Sequence, residues 1–146
     1  MDAIDKRIIK ILQENARMPI KDIAAMVSLS SPAVSTRISK LERDGLVSAY
    51  TMQLDREKLG YHITAYIELE MEPSLKPKFH QEMETCTNVL ECCNVTGQYS
   101  QILKAAFKST SDLDVFLTKI QAFGRTSTHI VLAEHIRTRD NLIDEL

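Results

Sequence analysis

Two short stretches of this 146-residue chain carry residue types and spacings suited to binding. The first runs from Ser30 to Asp44. Val34, Ile38 and Leu41 form an apolar stripe needed for packing, which leaves Ser31, Ser35, Thr36, Arg37, Ser39, Lys40 and Arg43 on the outer faces. Short hydroxyls let a helix approach base edges and phosphates closely, and Arg and Lys supply charge. From Arg17 to Arg43 there are five basic residues and two acidic ones, a local net of +3. The second stretch is Thr96-Gly97-Gln98-Tyr99-Ser100, set between two apolar runs. Glycine there serves a hairpin turn that needs positive φ, and the same loop is a candidate for binding.

The elements that position these residues follow from hydrophobic periodicity. Ile4, Ile8, Ile11 and Leu12 mark one face of a first helix. Ile20, Ile23, Ala24 and Val27 mark a short second helix that starts after Pro19. Ser28-Leu29-Ser30 is a tight turn, and the third helix runs over 30–44, with Ser30 or Ser31 as its N-cap and Gly45 at its end. Two helices joined by three residues have the size of a helix-turn-helix. Leu46-Val47 and Tyr50-Thr51-Met52 suggest a small hairpin, the wing, followed by a polar link. From residue 61 the period becomes two. Ile63, Ala65, Ile67 and Leu69 alternate with polar neighbours, and the order that follows is βαββαβ, the ferredoxin-like plait. Its strands are expected at 89–95, 102–107 and 130–136. The second helix of the plait is expected to start with Ser111 and Asp114 as a capping box. The fold class is α+β, with a winged helix-turn-helix domain at 1–53, a linker at 54–62 and a plait domain at 63–146.

Composition excludes several alternatives. Lys and Arg number 18 against 20 Asp and Glu, so overall charge does not announce a nucleic-acid binder; the basic patch is local. No run of about eighteen apolar residues suggests a membrane span, and MDAIDKR lacks the apolar core of a secretory signal. Cys86, Cys92 and Cys93 lack metal-ligand spacing and read as reduced residues of a cytoplasmic protein. His62, His80, His129 and His135 are the candidate bases, but no Ser-His-Asp order, metal spacing or phosphate-binding glycine loop accompanies them. No catalytic residue, metal or cofactor is expected. Apolar residues fall on both faces of the strands, whereas two helices cover only one face. The other needs a second cover, most simply another copy of the chain.

Asn15-Ala16-Arg17, the stretch from Ser30 to Glu42 with Arg37 and Leu41-Glu42, and Val95-Thr96-Gly97-x-Tyr99 together resemble the Lrp/AsnC regulators. The resemblance covers nearly the whole chain. It implies a transcriptional regulator of double-stranded DNA, with Ser31, Ser35, Thr36 and Arg37 nearest the bases and Lys40 and Arg43 on phosphates. It implies that residues 63–136 form the effector-binding RAM domain, with Thr96, Gly97, Gln98, Tyr99 and Ser100 as one contributing loop. Thr126 and Thr128, in a hydroxyl-rich segment placed before the last strand, form the second. It further implies an amino-acid effector, assembly into dimers and octamers, and action at the protein's own upstream DNA. Two positions depart from the family pattern. Ser28 stands where glycine is common, and Ser100 where many members carry an aspartate, so the loop offers no negative charge to an ammonium group. An architectural DNA-binding protein without an effector, and an enzyme like the haem-precursor decarboxylases of related fold, are the alternatives.

Overall fold

The computed structural model describes residues 1–136; residues 137–146, the end of the expected second domain, lie outside the described residues. Two compact units are present, one containing Met1–Gln53 and the other Leu54–His135.

The first unit packs three helices, α1 (Ala3–Glu14), α2 (Ile20–Val27) and α3 (Ser31–Arg43). Ile8, Ile11, Ile23, Ala24, Val27 and Val34 meet in one core, where the three apolar stripes converge. Asp2 caps α1 by a reciprocal box: its carboxylate accepts from the Asp5 N–H at 2.9 Å, and the Asp5 carboxylate accepts from the Asp2 N–H at 2.9 Å. Ser28 closes α2 in the left-handed conformation, at φ 55°. That geometry suits glycine, and a serine there costs about 1 kcal/mol. Ser30 caps α3 by accepting from the Ala33 N–H, and Gly45, at φ 74°, lets the Leu46 N–H return to the Leu41 carbonyl at 3.0 Å.

The wing is a correction. No strand forms between Arg43 and Ile63. Leu46-Val47 and Tyr50-Met52 are too short for a free-standing two-stranded ribbon, which is marginal in water even when longer. Val47 instead packs beside Ile9 and Leu41, and the Tyr50 hydroxyl donates to Glu42 at 2.9 Å.

The second unit is the βαββαβ plait. Its elements are β1 (Ile63–Met71), α4 (Lys76–Glu84, after a short turn at Pro73–Leu75), β2 (Val89–Asn94), β3 (Gln101–Phe107), α5 (Thr110–Ile120) and β4 (Gly124–Ile130). The sheet order is β2-β3-β1-β4, antiparallel throughout. Ala65, Ile67, Leu69 and Met71 of β1 join Leu103, Ala105 and Phe107 of β3 under Phe79, Met83, Leu113, Phe116 and Ile120 of the helices.

Two boundaries differ from expectation. Helix α5 is capped by Ser109, which accepts from the Asp112 N–H at 3.1 Å, so the Ser111–Asp114 spacing is not the cap. Both spacings satisfy the capping pattern, and Leu113, Phe116 and Ile120 share the buried face of the helix. The last strand is Gly124–Ile130 rather than 130–136. Gly124 pairs with Met71 so closely that a Cβ on it would clash with the Glu70 carbonyl oxygen. This close approach starts the ladder well before the β-branched run Ile130-Val131. Beyond Ile130 one more bond, Val131 N–H to the Thr64 carbonyl at 2.8 Å, ends the pairing.

Candidate functional sites

On α3 the outer face is as polar as the sequence required. Ser35, Thr36, Lys40 and Arg43 are exposed and Ser31 is half-buried. The Thr36 hydroxyl donates to the Pro32 carbonyl at 2.9 Å, which fixes its rotamer and leaves its oxygen free to accept. Arg43 lies 3.8 Å from Asp44, a loose exposed pair that costs little to open.

Arg37, expected at the bases, also makes contacts within the fold. Its Nη1 lies 2.7 Å from Asp2 Oδ2 and 2.7 Å from Asp5 Oδ1, so the guanidinium spans the N-terminal capping box of α1. The Asp5 N–H and then Arg37 lower the Asp2 pKa below its ordinary value. Burial pushes Asp5 up, but the Asp2 N–H and Arg37 outweigh it and leave its pKa lowered. Hydrogen bonds to Asp5 and Asp2 raise that of Arg37. Arg37 thus ties α3 to α1. The sequence signal for this clamp was the Asp2-x-x-Asp5 spacing at the start of α1, which reads as a capping box before it reads as an arginine partner.

In the plait unit the second stretch is the turn between β2 and β3. Gly97 sits at φ 109° with open space where a Cβ would be, Thr96 and Gln98 are exposed, and Tyr99 and Ser100 are half-buried. The Ser100 N–H bonds to the Leu69 carbonyl at 3.1 Å, and the Val95 N–H to the Ser100 carbonyl at 3.1 Å. These bonds anchor the loop to the end of β1. The Ser100 hydroxyl is buried with no hydrogen-bond partner among the described residues.

Thr126 and Thr128 lie within β4, not before it. They stand opposite Leu69 and Ile67, on the helix-covered face, and the Thr126 hydroxyl accepts from Gln121 at 3.3 Å. Glu70 pairs with Arg125 across β1 and β4 and accepts from the Gln98 amide at 3.3 Å. The loop and the start of β4 therefore flank the end of β1, Leu69–Met71, from its two sides. Glu70 and Arg125 were not singled out in the sequence; the period-two alternation of β1 already set Glu70 apart from the core residues Leu69 and Met71.

Two of the four histidines have ordinary partners. His80 Nε2 is 3.2 Å from Gln101 Oε1, and His129 Nε2 is 3.2 Å from Ser127 Oγ and 3.5 Å from Glu68 Oε2. Among the described residues no cluster of His, Cys, Asp or Glu could hold a metal ion, and no helix is long and apolar enough to cross a membrane.

Comparison with known proteins decides the family. A model of the AsnC-type helix-turn-helix domain matches residues 1–42, and one of the Lrp/AsnC ligand binding domain matches residues 64–140. The chain belongs to the Lrp/AsnC family. It is 31% identical over 143 residues to the transcriptional regulator FL11 of Pyrococcus horikoshii, with 96% of this chain and 95% of that one covered. It is 27% identical to Bacillus subtilis LrpC, whose solved structure superposes with a TM-score of 0.89 over 95% of this chain and 99% of LrpC. A Neisseria meningitidis transcriptional regulator, solved in complex with L-Met, shares the fold at a TM-score of 0.93 and 24% identity, with 100% and 99% of the two chains covered. As an Lrp/AsnC regulator the protein binds DNA through its helix-turn-helix, carries a ligand-binding domain and is not an enzyme.

Proposed function

We propose that this Lrp/AsnC protein is a transcriptional regulator whose DNA binding or assembly responds to an amino acid held at the end of its plait sheet. The observation that carries the proposal is the placement of the glycine turn Thr96–Ser100 and the start of β4 on either side of the end of β1, in a domain matched as ligand-binding. A free amino acid brings a carboxylate, an ammonium and one side chain. Backbone N–H groups, hydroxyls and oppositely charged groups at this end of the sheet suit the first two. Thr96, Gly97, Gln98, Tyr99 and Ser100 form one wall of the site; Thr126 and Thr128, the second contributing segment, lie across β1 on β4.

At the DNA, Ser31, Ser35 and Thr36 approach the bases while Lys40 and Arg43 meet phosphates. Arg37 supports this surface by holding α3 against α1. Assembly as a homodimer, and on to octamers, is supported by exposed apolar side chains of the plait unit such as Tyr66, Ile130 and Leu132, the last 96% exposed. An effector-independent architectural protein would share the DNA face and lack the response.

A gel-shift titration on the protein's own upstream DNA, run with each of the twenty amino acids, tests the reading. At least one amino acid should alter affinity or the mobility of the complex. Light scattering over a range of concentrations tests assembly, and a mass fixed at one chain would contradict it.

A further inference from the structure

The loop lacks a carboxylate at Ser100, yet a carboxylate lies beside it. Glu70, half-buried near the end of β1, takes the Gln98 amide from the loop at 3.3 Å, and its cross-strand partner on β4 is Arg125. Directly opposed residues of an antiparallel pair bring their Cβ atoms to about 5 Å. An acid and a base so placed ordinarily close into an ion pair, but none joins Glu70 to Arg125. The chain thus sets a negative and a positive group side by side next to the Thr96–Ser100 loop, on the sheet face opposite to that of Thr126 and Thr128, with no ion pair between them. Beside them the buried Ser100 hydroxyl also lacks a partner among the described residues.

An α-amino acid presents complementary charges on groups that share one carbon. We propose that Glu70 receives the α-ammonium and Arg125 the α-carboxylate of the effector, so that the negative charge missing from position 100 comes from the neighbouring strand. Gln98 holds the Glu70 carboxylate by one oxygen and leaves the other free. An arginine offers two parallel N–H donors to a carboxylate, which fixes orientation as well as charge. The inference rests on the amino-acid reading above, and it narrows the ligand to free amino acids over amines, simple carboxylic acids or N-blocked residues.

The test is calorimetric titration of the full chain. Wild type is screened first against the twenty amino acids, then against the decarboxylated and N-acetylated analogues of whichever binds. Glu70→Gln should weaken the free amino acid by about tenfold to a hundredfold, the scale of one charge-assisted hydrogen bond, and leave the N-acetylated analogue as weak as with wild type. Arg125→Gln should do the same to the free amino acid and leave the decarboxylated amine unchanged. Melting curves of the unliganded variants show that both remain folded, and Glu70→Asp, which keeps the charge, should retain part of the affinity. If wild type binds an amino acid and both glutamine variants bind it equally well, this assignment fails while the amino-acid reading stands. If wild type binds none of the twenty at millimolar concentration, both fail.

Discussion

Arg37 and Arg125 occupy matched settings in the two units and end in opposite states. Each has an acidic side chain on the neighbouring element. Arg37 closes on Asp2 and Asp5 at 2.7 Å to each, so its charge is used inside the fold and joins α3 to α1. Arg125 faces Glu70 across a strand pair without an ion pair forming between them. A basic residue on a binding element is therefore not by itself a binding residue. The partner distances separate a charge that builds the domain from one still available to a ligand.

The contrast can be broken most severely at Gly124. Its backbone approaches Glu70 so closely that an added Cβ would clash with the Glu70 carbonyl oxygen. Gly124→Ala should push β4 away from β1, destabilise the plait unit by about 3 kcal/mol and separate Arg125 from Glu70. Denaturant unfolding of the full chain measures the first effect, and loss of effector binding the second.

Next in size is the response of DNA affinity to salt. Lys40→Ala and Arg43→Ala should each weaken binding and lower the slope of log K against log salt by about 0.9 for each phosphate no longer neutralised. Arg37→Ala should reduce affinity with no change of slope, because its charge is held by Asp2 and Asp5. A slope lowered equally in all three variants would return Arg37 to the DNA.

Acid probes the same clamp. The Asp2 and Asp5 pKa values are lowered in the folded chain. Their contribution is therefore fully present above the ordinary carboxylate pKa of about 3.9 and is lost as pH falls through their lower folded values. Protection of the α1 and α3 amides against exchange, taken relative to the intrinsic rate at each pH, should fall below about pH 4, and in Arg37→Ala the fall should begin at higher pH. Smallest is Ser28→Gly, which relieves a left-handed serine at φ 55° and should raise stability by about 0.5–1 kcal/mol in the same unfolding assay.

What could be read from the chain followed repeating patterns. The alternation of Ala65, Ile67 and Leu69 located β1, and stripes such as Val34, Ile38 and Leu41 located the helices, because burial of one face imposes a period. Features fixed by a single approach of distant segments were not legible. The start of β4 depends on Gly124 reaching Glu70, and an apolar run further along imitated the strand. The wing was inferred from β-prone residues that packed singly instead. Ser109 and Ser111 both offered a capping spacing for α5, and nothing in the local pattern chose between them. At the candidate sites the loop Thr96–Ser100 was visible from its glycine and hydroxyls. Glu70 and Arg125 were not, since a strand register pairs residues far apart in the chain with no local mark.

Ligand control of DNA binding can be settled by fluorescence anisotropy of labelled upstream DNA with the full chain, at fixed salt, with and without each amino acid. An isotherm displaced by at least one amino acid in wild type, and by none in Glu70→Gln, is the predicted result. Twenty isotherms that superimpose on the ligand-free curve, with no change in assembly, would contradict it.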